Sequence, residues 1–183
     1  LYPELVGELS GYAQLKNAAT ILASIFELQK KGYNIPDKAV YDGFANVSSL
    51  TGLMGRWQII QTNPKIVCDT GHNAAGIKYI ANQLANETYD RLHIVLGMVS
   101  DKDIASVLQL LPKEAIYYFT KASVARAMNE IQLQDLAMKY GLEGRAYLSV
   151  KDAVYAAKLA ANAKDFIFIG GSNFIIADAL IAL

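Results

Sequence analysis

From residue 65 onward, short apolar runs alternate with stretches of helical periodicity. That alternation predicts an α/β fold: a Rossmann-like, mainly parallel sheet with one antiparallel strand, helices on both faces and two helices ahead of it. Two further observations support it. The runs Ile94-Val95-Leu96 and Phe166-Ile167-Phe168-Ile169 are apolar throughout, as strands are when helices cover both sides of a sheet. Trp57 to Gln61 alternates and is joined to Lys65–Cys68 by Thr62-Asn63-Pro64, a turn short enough for a hairpin, and this supplies the antiparallel strand.

The elements follow in order. Residues 1–13 read as extended or irregular, punctuated by Pro3, Gly7 and Gly11. Ala18, Ile21, Leu22, Ile25, Phe26 and Leu28 recur at helical spacing, so a helix is expected over Asn17–Lys31, stopped by Gly32. Pro36 suits a first helical turn and opens a second helix to Asn46. Beyond the hairpin, strands are expected near 92–96, 115–119, 145–148 and 165–169. Helices are expected near 74–86, 103–110, 129–140, 151–162 and 173–182, with Ser100 or Asp101 capping the second of these. No internal repeat or low-complexity segment interrupts the pattern.

The bulk composition bounds the function. A chain of 183 residues, 53% hydrophobic and 19% charged, suits one domain with its own core. Lys+Arg and Asp+Glu are both 17, so there is no net charge to grip nucleic acid or an anionic membrane, and neither is expected as a partner. Without a secretory signal or a membrane-length apolar run, a cytoplasmic location is the default expectation. The lone Cys68 lies in an apolar strand and reads as a buried thiol. No Cys/His cluster has metal-ligand spacing, so no metal ligand is assigned. Neither GxGxxG nor GxxxxGK[ST] occurs, which removes the usual supports for nicotinamide chemistry and for a self-sufficient NTPase.

The most informative stretch is Lys65 to Gly76. The strand Ile66-Val67-Cys68 delivers Asp69, then Gly71, His72 and Asn73, and a helical pattern starts at Ala74. Polar groups at a strand-to-helix junction are what an open α/β sheet presents to ligands. Asn73 suits an N-cap, and the free N–H groups behind it favour an anion. A junction that merely caps a helix has the same appearance, and spacing alone does not separate the two. Asp69, Lys102, Arg126 and Ser172 each follow a strand expected to be parallel to the others, which gathers them along one edge. His93, inside Leu92-His93-Ile94, reads as a packed histidine.

Five segments in order carry a resemblance: Gly11-Tyr-Ala-Gln14-Leu-Lys-Asn17-Ala-Ala-Thr20, Gly55-Arg56-Trp57-Gln58, Asp69-Thr-Gly-His72-Asn73, Gly97-Met-Val-Ser-Asp101-Lys102-Asp103 and Gly170-Gly-Ser172-Asn-Phe. Together they resemble the C-terminal domain of the folylpolyglutamate synthase/dihydrofolate synthase family, in the Mur ligase superfamily. The resemblance spans nearly the whole chain.

It implies that residues 1–13 are the remnant of an interdomain linker and 14–183 a Mur ligase C-terminal-type domain cut from a longer protein. It implies an ATP-dependent ligase that joins L-glutamate to dihydropteroate or a folate through an acyl phosphate. The phosphate loop and the Mg ligands would lie on the absent N-terminal domain, and this fragment would be inactive alone. On family positions, Asn17, Arg56 and Asp69 would contact ATP, with Arg56 and His72 catalytic. His72, Lys102, Arg126 and Ser172 would meet substrate. An amide suits an adenine edge, a carboxylate a ribose diol and a guanidinium a phosphate. Gly55 would allow close approach beside Arg56. Asn in a helix start, Arg on a strand rim and Asp as a cap are the plainer alternatives. Asp101-Lys102-Asp103 leans toward the folate branch rather than a peptide ligase, with dihydrofolate synthesis, polyglutamylation or both left open. The rival class is a non-catalytic Rossmann-like module binding a small molecule or a protein. A GKGT-like loop upstream of Leu1 would separate the two.

Overall fold

The computed structural model describes residues 2–100 and 103–183. Irregular chain over residues 2–11 leads into α1 (Tyr12–Lys30), α2 (Asp37–Ala45) and α3 (Val47–Thr51). The hairpin β1 (Gln58–Thr62) and β2 (Lys65–Asp69) follows, then α4 (Ala74–Leu84), β3 (Leu92–Leu96), α5 (Ile104–Leu108), β4 (Ile116–Phe119), α6 (Glu130–Met138), β5 (Gly144–Ala146), α7 (Val150–Ala160), β6 (Phe166–Gly170) and α8 (Asn173–Ala182).

The six strands form one sheet in the order β1-β2-β6-β3-β4-β5. Only β1 is antiparallel; the other pairings are parallel. The expected class therefore holds. The parallel strands also end level. Asp69 pairs with Gly170, Gly170 with Leu96, Leu96 with Phe119 and Phe119 with Ala146. All five carboxyl ends open on one edge.

Strand pleating explains the two cores. Val67, Leu92, Ile94, Leu96, Phe166 and Phe168 point to the face covered by α4, α5 and α6, where Ile77, Val107 and Leu133 meet them. Ile66, Cys68, Val95, Ile167 and Ile169 point to the other face, under α7 and α8. Both faces are dry, which is why the central strands read as unbroken apolar runs. The Cys68 thiol is fully buried, and that burial, with the Asp69 charge beside it, pushes its pKa up to about 12. It is an inert packing group. His93 is packed as expected. Its Nε2 lies 3.3 Å from Asp165 Oδ2, which only accepts, so Nε2 donates there, and Nδ1 lies 3.0 Å from the Tyr118 hydroxyl.

Several boundaries differ from expectation. Three helices, not two, precede the sheet, because Val47–Thr51 closes one short turn against Gly52 in the left-handed region. Helix α1 begins at Tyr12 rather than Asn17. Helix α5 is capped by Asp103, whose Oδ1 accepts the Ser106 N–H at 3.2 Å, rather than by Ser100; Asp101, the other expected cap, lies outside the described residues. Strand β5 is three residues, 144–146, and ends before the expected 148. Among the described residues no helix is long and apolar enough to cross a membrane.

Candidate functional site

The carboxyl end of β2 builds the site. Asp69 is its last residue, and both carboxylate oxygens are engaged by backbone: Trp57 N–H donates to Oδ2 and Gly71 N–H to Oδ1, each at 2.8 Å. One side chain thus ties the entry of β1 to the loop after β2. Burial pushes the Asp69 carboxyl above its usual range, against the pull of those two amides and of the Arg56 charge. Each oxygen keeps a lone pair, so the group can still accept from a ligand.

The entry to β1 is unusual backbone. Gly55 has φ 73° and Trp57 φ 47°, so an indole occupies the left-handed region that favours glycine. Trp57 is held there by its amide bond to Asp69 and by burial against Phe166 and Phe168, ring centres 6.2 and 6.1 Å away. A side chain at position 55 would start 2.8 Å from Thr70 Cγ2 as well as requiring that φ, and Thr70 N–H bonds the Gly55 carbonyl at 2.9 Å. Between the pinned Gly55 and Trp57, half-buried Arg56 borders the space beside Asp69.

The loop after Asp69 completes the floor. His72 Nδ1 lies 3.1 Å from the Thr70 carbonyl oxygen, which only accepts, so Nδ1 donates and Nε2 is the ring nitrogen left for a ligand. Asn73 caps α4 by accepting the Gly76 N–H at 2.8 Å, as its position in sequence predicts. Thr70 Oγ1 is buried beneath the loop without a protein hydrogen-bond partner.

These residues line a cleft of about 340 Å³ between α1, the β1 entry, the β2–α4 loop and one face of α4. Asn17, Arg56, Asp69 and His72 all border it, so four expected site residues from three separate segments converge. Asn17 reaches it from exposed α1, its amide donating to Gln14 Oε1 at 3.0 Å. An amide, a guanidinium, a carboxylate and an imidazole around one cavity suit a ligand with a phosphate and a polyhydroxyl or heterocyclic part. Among the described residues no group of three His, Cys, Asp or Glu could hold a metal ion.

Ser172 and Arg126 share the edge but do not border the cleft. Ser172 is buried and its hydroxyl caps α8, accepting the Ile175 N–H at 3.2 Å; its neighbour Asn173 borders the cleft instead. Arg126 is exposed, its guanidinium 4.8 Å from the Phe174 ring centre. Lys102 lies outside the described residues, as does Asp101. Sequence reasoning missed Tyr12, Trp57, Tyr79 and Gln83, which also border the cleft. For Tyr79 and Gln83 a signal existed: with Gly76 they are polar or small positions three and four apart on α4.

The level strand ends, the α/β order and the helices on both faces define an α/β domain of the doubly wound class. The chain belongs to the Mur ligase, glutamate ligase domain family, whose model matches residues 55–173. It is similar to the dihydrofolate synthase/folylpolyglutamate synthase of Escherichia coli (strain K12), 30% identical over 167 residues, which are 90% of this chain and 37% of that protein. A solved structure of Mycobacterium tuberculosis folylpolyglutamate synthase complexed with ADP matches with a TM-score of 0.82 at 27% identity, over 98% of this chain and 42% of that one. A bifunctional folylpolyglutamate synthase/dihydrofolate synthase with Mn, AMPPNP and L-glutamate bound matches with a TM-score of 0.77 at 28% identity, over 97% and 41%. The chain spans about two-fifths of the length of these relatives.

Proposed function

We propose that residues 14–183 are the C-terminal domain of an ATP-dependent, ADP-forming carboxylate–amine ligase that adds L-glutamate to dihydropteroate or a folate. Residues 1–13 are then part of the linker to its N-terminal domain. The observation that carries this reading is the convergence of Asn17, Arg56, Asp69 and His72 on one cleft in a member of this family. That a relative was solved with ADP, and another with AMPPNP and L-glutamate, supports it.

In the reaction the terminal phosphoryl group moves from ATP to a carboxylate oxygen and ADP leaves. The glutamate nitrogen then attacks the acyl carbon, loses a proton, and inorganic phosphate departs as the amide forms. Asn17 and Asp69 would hold the nucleoside. The Arg56 guanidinium, fixed between two pinned backbone positions, would meet the phosphoryl charge as it develops, with little reorganisation needed at that moment. His72 Nε2 would accept from the glutamate amine and orient it. Arg126, Ser172 and Lys102 remain candidates for the glutamate carboxylates. Mg would supply charge neutralisation to the nucleotide phosphates, and the family reading would place its ligands on the N-terminal domain. Docking of that domain would also cover apolar side chains that α1 leaves exposed, such as Leu15 and Phe26.

The test is ADP release by the full-length protein with ATP, Mg, and dihydropteroate or a folate. Release that requires L-glutamate and yields a glutamylated product is expected, whereas residues 1–183 alone should release none. Full-length protein that binds ligand without glutamate-dependent turnover would sink the ligase reading.

A further inference from the structure

Helix α1 carries Asn17 to the cleft, yet none of its residues is buried, so core packing does not fix it. Two contacts tie its first two turns to α4. The Tyr12 N–H donates to Gln83 Oε1 at 2.9 Å. Tyr12 is the first residue of α1, and Gly11 ahead of it has no side chain to cap with, so a helix-end donor is satisfied from 71 positions away. One turn along, Lys16 Nζ lies 5.5 Å from the centre of the Tyr79 ring, and the Tyr79 hydroxyl raises the Lys16 pKa. Residues 12 and 16, like 79 and 83, are four apart and share a helix face, so the two contacts form successive rungs between the helices. The foot of α1 is also set: a Cβ at Gly11 would lie 3.1 Å from Trp57 Cβ. Tyr79 and Gln83 both border the cleft.

We infer that Gln83 is a positioning residue: by accepting the Tyr12 N–H it sets α1 over the cleft and so places Asn17 against the bound nucleotide. The inference rests on the nucleotide reading proposed above. The chemistry of the contact needs an acceptor oxygen at this position and little else. Gln83→Leu keeps the bulk and removes the acceptor, whereas Gln83→Glu keeps an oxygen and adds a negative charge that a helix N-terminus favours.

The experiment uses the full-length protein, with steady-state kinetics alongside amide hydrogen exchange of residues 12–20. Gln83→Leu should speed exchange in α1 and raise the KM for ATP about fivefold, the loss expected for one hydrogen bond. That rise should exceed any fall in kcat, and the KM for glutamate should move less. Gln83→Glu should restore both readouts. Lys16→Met, which cuts the second rung at an exposed residue, should move both in the same direction by less; it carries the test if Gln83→Leu does not fold. Unchanged exchange in α1 would overturn the latch. Loosened α1 with an unchanged KM for ATP would overturn the positioning role. Wild-type protein that does not turn over ATP would overturn the functional reading instead, and the exchange data would still decide the latch.

Discussion

Asp69 is the residue whose replacement tests the site geometry most sharply, because its two oxygens hold two backbone amides that sequence separates by 14 positions, Trp57 and Gly71. Asp69→Ala removes both acceptors. Hydrogen bonds to a charged group are worth about 1.5–3 kcal/mol each, and the lower end applies to a half-buried carboxylate, giving about 3 kcal/mol for the pair. Asp69→Asn is different. It accepts with one oxygen only, but it sheds the charge whose burial raises the carboxyl pKa, so the terms offset to about 1 kcal/mol. Thermal unfolding of the purified chain, with about 2–4 °C per kcal/mol at this size, should show a drop of about 6–12 °C for Asp69→Ala and about 2–4 °C for Asp69→Asn. Equal, small drops for both would refute the view that this carboxylate braces the cleft.

Arg56→Ala in the full-length protein should lower kcat about a hundredfold, the cost of one preorganised donor, while affecting the KM for the folate substrate less; steady-state kinetics with an unchanged kcat would return Arg56 to a rim residue. His72→Ala should raise the KM for glutamate about tenfold, as loss of one bond to a charged group implies. Ser172→Ala should instead lower stability by about 1 kcal/mol through the lost α8 cap, read by denaturant unfolding. Burial pushes the Asp165 carboxyl up, but the Asn162 amide, His93 and the Arg91 amide outweigh it and hold the group below its ordinary value. Because the folded value is the lower one, its stabilisation is fully present above the unfolded value and is lost as pH falls through the folded one. Acid unfolding should therefore shift to higher pH in Asp165→Asn.

The class of fold was legible because each central strand is buried on both faces, and such strands cannot hide their composition: Phe166 to Ile169 reads as a strand in any context. The hairpin was legible from Thr62-Asn63-Pro64. What was not legible depends on distance along the chain. The sheet order places β6 between β2 and β3, a choice made by long-range pairing that no local pattern records. Helix α1 starts at Tyr12 rather than Asn17 because Gln83 meets its first amide, a contact invisible to any short window. The five residues of α3 are too few to show a period. In the site, Asp69 and His72 stood out at a strand end, while Trp57 did not, since its left-handed backbone is imposed by neighbours rather than by its own preference. Ser172 looked identical whether cap or ligand group; the structure shows the cap, which uses a lone pair and leaves the hydroxyl proton to donate.

The central claim is that the cleft beneath α1 is where this domain holds a nucleotide. Hydrogen exchange of the full-length protein with and without a non-hydrolysable ATP analogue tests it most directly. The account predicts added protection at residues 12–17, 55–57 and 69–76, with little change at β5 and α7. Protection absent from those three segments, or confined to the opposite end of the sheet, would contradict it.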